Sequence, residues 1–270
     1  MKPIAVALLT MLAFGPLALA APTGGDDWSV LVVSIDALHP AALSENITPT
    51  LHALMRPGRY TLEGQSVDPP KTLVAHTAML TGLPPFENGK RDNDWNRGEP
   101  RVVKPTLFDD AKRFGYRTAF YYAKPKLGYL VSDSVDQHGL APDDGIDKAR
   151  AFFRGAGRRM AFLHVSGLEY AGADSGWLSS DYLDELAHID MALAPLLEQV
   201  RQSTSHAIVV TSDHAGHERQ HGTQDPEDFK LPLIIETNLA RVPWVPEGTW
   251  HITDLRRLVQ DMIRSTGVTQ

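Results

Sequence analysis

Short apolar runs recur along the chain, and each ends abruptly in polar residues. Residues 28–35 (Trp-Ser-Val-Leu-Val-Val-Ser-Ile) stop at Asp36, 206–210 (His-Ala-Ile-Val-Val) stop at Thr211-Ser212-Asp213-His214, and 158–165 end shortly before Glu169. Runs this short, rich in β-branched residues and lacking polar alternation, read as strands buried on both faces of a parallel-type sheet. Residues 59–65, 117–122 and 230–236 supply further strands. Helices are predicted over 50–55, 73–80, 106–114, 147–154, 180–201 and 254–264. The longest carries Leu183, Leu186, Ile189, Leu193 and Leu197 at helical spacing, with Pro195 expected to bend it. Residues 127–145 and 166–177 read as irregular. The alternation of strand and helix predicts an α/β fold, three-layer α/β/α with a mostly parallel central sheet.

The first residues fall outside this rhythm. Lys2 precedes a nearly continuous apolar run from Ile4 to Ala20, and Ala18-Leu19-Ala20 fits a small-x-small cleavage site before Ala21. Residues 1–20 are therefore expected to be a signal peptide cut after Ala20, with a periplasmic or secreted destination. The run contains Gly15-Pro16 and is short for a span, so no stable membrane insertion is expected after cleavage. Residues 21–270 then form a single domain of about 250 residues, enough for a sizeable core. There is no cysteine, which excludes a cysteine nucleophile, a thiolate metal site and disulfides. A net charge of −7, without a run of Lys/Arg longer than a pair, argues against a nucleic acid polymer as partner.

The strand ends turn the picture from fold to chemistry. Open α/β sheets place their sites at the carboxyl ends of strands. There this chain puts Asp36, Glu169 and Asp213, with His214, His217 and His221 following the last. Carboxylate and imidazole donors suit Zn²⁺, or Mn²⁺ and Mg²⁺ where oxygens predominate. Thr72 follows the rigid turn 68–71 and opens a helix, where backbone N–H groups and the dipole favour an anion; a plain N-cap is the alternative role. Acids at several strand ends around one hydroxyl are the layout of a two-metal phosphoryl-transfer site. His76 reads as a packed helix residue, His164 as a core hydrogen-bonding residue, and His39 and His217 as surface or supporting groups. Trp95, Tyr170 and Trp177 read as core aromatics, with pocket lining as the alternative.

Val33-Ser-Ile-Asp36-Ala-Leu-His-Pro40, Thr48-Pro49-Thr50-Leu51, Pro70-Lys-Thr72-Leu-Val-Ala-His76-Thr-Ala-Met-Leu-Thr-Gly82, Thr211-Ser-Asp213-His214 and His221-Gly222 follow one another in this order. The set resembles the alkaline phosphatase superfamily, particularly its nucleotide pyrophosphatase/type I phosphodiesterase branch, over nearly the whole chain after residue 20. The resemblance implies an alkaline phosphatase-like fold and an exported metal-dependent phosphohydrolase, of phosphodiesterase or phosphomonoesterase type. Thr72 would be the nucleophile, passing through phospho-threonine, and Asn93 would hold the phosphate. One metal would sit among Asp36, Thr72, Asp213 and His214, and a second among Glu169, position 173 and His221. The implied cofactor is a divalent metal, Zn as one or two ions, with Mn or Mg as alternatives. The implied partner is a small phosphate ester or nucleotide-like substrate. A threonine at 72 also argues against a sulfatase, whose formylglycine derives from Cys or Ser.

The chain departs from this pattern at several positions. Ala37 and His39 stand where Gly and Arg are usual, and Ala215 where Gly is usual. The expected Asp-x-x-Gly-His reads Glu169-Tyr-Ala-Gly172-Ala173. Glutamate keeps a carboxylate, but Ala173 deletes a ligand, leaving Asp174 or His217 as candidate substitutes. The alternative function is a degenerate member, a binding protein or a weakly active single-metal one.

Overall fold

The computed structural model describes residues 27–239 and 249–265; the expected signal peptide lies outside them. Strands and helices alternate. In chain order they are β1 (Trp28–Ile35), α1 (Pro49–Met55), β2 (Arg59–Gln65), α2 (Thr72–Thr81), α3 (Pro85–Asn88), α4 (Leu107–Arg113), β3 (Arg117–Tyr122) and β4 (Gln137–Leu140). There follow α5 (Gly145–Phe152), β5 (Arg159–Val165), α6 (Leu168–Ser175), α7 (Ser180–Arg201), β6 (Ser205–Thr211), β7 (Lys230–Thr237), β8 (Trp250–His251) and α8 (Leu255–Arg264). The strands form one sheet in the order β4-β3-β5-β1-β6-β7-β2-β8. β1 lies between β5 and β6 and is parallel to both. β3 and β4 extend the parallel side, while β7 runs against β6 and β2.

Because successive side chains of a strand point to opposite faces, a continuous apolar run needs cover on both. Val30 and Val32 join Phe120, Phe162 and Val209 on one face, under residues of α2, α4 and α8. Leu31, Val33 and Ile35 join Leu163 and Val210 on the other, under α1, α5 and α7. The three-layer arrangement follows. All ten residues of α2 are buried. Its inward threonines satisfy their hydroxyls on the helix itself, Thr77 Oγ1 donating to Leu73 O at 2.7 Å and Thr81 Oγ1 to Thr77 O at 2.6 Å. At its end Gly82 takes a φ of 68°, and a Cβ there would lie 3.2 Å from Arg256 Cβ. The Arg256 guanidinium donates to Thr81 O at 2.8 Å and to Asp110 at 2.7 Å, tying α2 to α4 and α8.

Two segments expected to be irregular are ordered. Residues 166–177 contain α6, whose Gly172 and short length give little helical signal. Residues 137–140 form β4, an edge strand with no apolar alternation, paired only to β3. Pro195 lies inside α7 without dividing it. α1 is capped from outside: Asp190 on α7 accepts from Thr50 N at 2.9 Å and Leu51 N at 2.8 Å.

Asp190→Ala is expected to cost about 1–2 kcal/mol, read by urea unfolding, because both orphan amides of α1 lose their acceptor. α4 supplies a pH-dependent counterpart. Asp109 accepts from Thr106 N at 2.7 Å and from Ser134 Oγ at 2.8 Å. Burial works to raise its carboxyl, but these bonds outweigh it and hold the group below the ordinary aspartate range. A depressed folded value means stability that is present above about pH 4 and lost as the pH falls through the folded value. Asp109→Asn should therefore lower the melting temperature at pH 6 and flatten its decline in acid.

Candidate active site

Asp36 leaves β1 and Asp213 leaves β6, so strand adjacency alone brings the two acids together. Between them Ala37 adopts a left-handed φ of 65°, the conformation for which glycine is expected at this position. Its surroundings hold it there. Ala37 N donates to Asp213 Oδ1 at 3.2 Å, and Ala37 O accepts from Tyr182 OH at 2.8 Å and Trp177 Nε1 at 3.3 Å. Leu38 N donates to Ser212 Oγ at 2.9 Å. A strained residue persists when neighbours fix it on both sides. Ala215 lacks a positive φ, so alanine fits there without strain. Gly222 does require glycine, with a φ of 74° and Lys71 Cε 3.0 Å from where a Cβ would sit.

Asp36 and Asp213 are fully buried, and each uses one oxygen within the protein. Asp213 Oδ1 accepts from Ala37 N and from His214 N at 3.0 Å. Asp36 Oδ2 accepts from His164 Nε2 at 3.1 Å. His164 Nδ1 itself accepts from Ala123 N at 3.2 Å, so the hydrogen sits on Nε2 and points at Asp36. The other oxygens, Asp36 Oδ1 and Asp213 Oδ2, have no hydrogen-bond partner, nor has His214 Nε2. His214 Nε2 lies 3.5 Å from each of them. Its Nδ1 is 2.9 Å from Ala215 O. A carbonyl can only accept, so Nδ1 carries the hydrogen and Nε2 turns a lone pair toward two carboxylate oxygens. Three acceptors converging without a donor is an arrangement that suits a cation. Burial would raise the Asp36 carboxyl, but Lys124 foremost, then His164 and His214, hold it well below the carboxylate range.

Thr72 is the first residue of α2 and not its cap, which is Lys71. The plain N-cap role is thereby set aside. Its Oγ1 accepts from Lys124 Nζ at 3.1 Å. Asn93 Oδ1 accepts from Leu73 N at 2.8 Å, so Asn93 stands at the opening of the same helix. Glu169 comes from α6, its Oε1 2.9 Å from His221 Nε2. The His221 ring stacks on His214 with centroids 4.6 Å apart, joining the two expected metal sites into one cluster. Burial first, then His214, pushes His221 down to about 4, leaving it neutral near pH 7.

Sequence reasoning missed Lys124. It follows β3 by two residues, is 7% exposed, and its Nζ is 2.5 Å from Asp36 Oδ2 and in contact with Glu169 Oε2. The available signal was its position, since it too stands at the carboxyl end of a parallel strand. Neither expected substitute for a histidine at 173 joins Glu169. Asp174 and Ala173 are exposed, and His217 Nδ1 pairs with Asp228 Oδ1 at 2.7 Å. His39 is buried and pairs with Glu227 at 2.9 Å, and His76 bonds Thr72 O at 2.7 Å and Ser34 Oγ at 3.0 Å. Trp177 packs in the core against Ala37 and Gly172, Trp95 packs over Gly128, and Tyr170 is exposed.

The sequence model of the type I phosphodiesterase/nucleotide pyrophosphatase family matches residues 30–222. The chain belongs to that family. Among curated proteins none matches it. Solved structures of the alkaline phosphatase superfamily share the fold. Murine ectonucleotide pyrophosphatase/phosphodiesterase 5 is 14% identical, with a TM-score of 0.68 over 87% of this chain and 95% of that one. An inactive form of the same murine protein is in complex with AMP. The zinc complex of the C-terminal periplasmic domain of EptC from Escherichia coli is 15% identical, with a TM-score of 0.65 over 93% of this chain and 86% of that one. A 2-O GAG sulfatase is 11% identical, with a TM-score of 0.69 over 90% of this chain and 71% of that one.

Removing a cation from among buried acids leaves them uncompensated. In metal-free buffer Lys124→Met is expected to lose about 3–5 kcal/mol of stability, read by urea unfolding in the presence of a chelator.

Proposed function

We propose that this phosphodiesterase-family chain is a metal-dependent phosphoric ester hydrolase with Thr72 as its nucleophile. The observation that carries the reading is the convergence of Asp36 Oδ1, Asp213 Oδ2 and His214 Nε2, buried and unbonded, beside the Thr72 hydroxyl at the head of α2. Two carboxylates and an imidazole form the three-ligand protein set of a catalytic divalent site, with zinc the best match and Mn or Mg as alternatives. The bound ion would supply Lewis acidity toward the hydroxyl and the phosphoryl oxygens.

The chain's own residues do the rest. Thr72 Oγ1 forms a bond to phosphorus as the bond to the leaving alcohol breaks, the hydroxyl proton being balanced by the one the departing alkoxide takes up. Water then adds to phosphorus and the Thr72 ester bond breaks, restoring the hydroxyl. Asn93, anchored through Oδ1 to Leu73 N, turns its amide group to a non-bridging oxygen. α2 is buried throughout, which keeps Thr72 from moving with the substrate.

A small phosphate ester or nucleotide-like substrate is supported by the family and by the AMP complex of the murine relative. Tyr170, 59% exposed and next to Glu169 on α6, presents to solvent a ring on which a nucleotide base could stack. Periplasmic or secreted localisation is supported by the leader pattern of residues 1–20; among the described residues no helix is long and apolar enough to cross a membrane. Ala173 favours the alternative of a binding or weakly active member, because it removes a ligand from the second cluster.

Protein loaded with Zn²⁺ or Mn²⁺ should hydrolyse bis(p-nitrophenyl) phosphate, and chelation should stop it. Thr72→Ala should reduce turnover by at least about 1,000-fold, while Thr72→Ser retains part of it. Undiminished turnover in Thr72→Ala would refute the nucleophile. Bound metal without turnover on mono- or diesters would instead favour the binding role.

A further inference from the structure

The Glu169 half of the cluster does not fit a second divalent ion. His214 is shared with Asp36 and Asp213, so Glu169 and His221 are what remains, one ligand short of the three a catalytic zinc takes. Glu169 Oε1 and His221 Nε2 already lie 2.9 Å apart, and the second Glu169 oxygen lies against the Lys124 ammonium. Ala173 is exposed and offers nothing.

We propose that Lys124 is the second cation of this site. On the hydrolase reading above, the chain binds one divalent ion at Asp36, Asp213 and His214 and relies on the fixed ammonium where another ion would otherwise be needed. The placement of the ammonium carries the inference, since Lys124 Nζ touches Asp36, Glu169 and Thr72 together. The backbone leading to it is pinned. Ala123 N donates to His164, the histidine that also bonds Asp36, and Leu127 N donates to Lys124 O at 3.0 Å as Pro125–Leu130 turns away. Charge agrees with geometry. Asp36, Asp213 and Glu169 are three carboxylates facing one ammonium, and the two negative charges left over are those one divalent ion neutralises.

In this role Lys124 is a catalytic residue, within hydrogen-bond distance of the attacking oxygen. It donates to Thr72 Oγ1 and stabilises negative charge there as the proton leaves, and it keeps Glu169 from collapsing onto the ion ligands. An ammonium holds charge and donates hydrogen bonds, but it has no open coordination position. The second half-reaction draws on Glu169 and His221, whose Oε1 and Nε2 lie 2.9 Å apart, to position the attacking water.

The test is metal content together with turnover. Wild-type protein dialysed against excess Zn²⁺ and washed should hold one ion per folded chain by elemental analysis. The double variant Lys124→Ala with Ala173→His should hold two. Lys124→Met should lose about 100-fold or more in kcat for bis(p-nitrophenyl) phosphate without losing its ion, and Lys124→Arg should recover part of the loss. Two ions in the wild type, or wild-type turnover in a folded Lys124→Met, would overturn the inference and leave the hydrolase reading standing. No ion in the wild type would overturn both.

Discussion

Taking a carboxylate out of water costs several kcal/mol unless donors or positive charge meet its oxygens. Asp36, Asp213 and Glu169 bring three of them to one place, the first two with no exposure at all. How each oxygen is met explains most of the surrounding structure. Asp213 Oδ1 demands the Ala37 amide, and so the left-handed turn that presents it. That turn demands Tyr182 and Trp177 to donate to Ala37 O, which brings α7 and the end of α6 against β1. Asp36 Oδ2 demands His164 from β5 and Lys124 from beyond β3. The oxygens left over face His214, where the chain offers no donor.

Such accounting needs a frame that does not slide. β1 lies between β5 and β6, with Ser34 opposite both His164 and Thr211, so Asp36 and Asp213 emerge level with each other, two residues beyond the histidine that serves Asp36. A slip of one residue would turn every apolar side chain of β1 to the wrong layer, and both layers are filled. Core packing and site geometry are therefore enforced by the same register.

The sheet and its acids were legible in the sequence because the physics behind them is local. The bounds of β1 and α7 agree with the apolar runs and periodicity, and Asp36, Asp213 and Thr72 stand at element ends that those patterns mark. α6 and β4 were not legible, since a short glycine-containing helix and a polar edge strand owe their order to neighbours. Lys124 was hidden for a different reason. A lysine after a strand is most often solvated, and only the folded chain reveals three acidic or hydroxyl groups waiting for it. The nearness of His214 and His221 was implied by a paired-metal layout, but the face-to-face stacking of their rings was not.

The burial of α2 on every side has a consequence for how this site can vary. A helix without a wet face has no position at which a side chain can be exchanged freely, so each of its residues answers first to packing. The hydroxyl at its head is thus mounted on the least adjustable part of the molecule. The positions free to change lie on neighbouring elements that do meet solvent, such as Tyr170 on α6 and Phe86 on α3. Fixity and freedom to vary are in this way assigned to different parts of the molecule, the packed helix and its exposed neighbours.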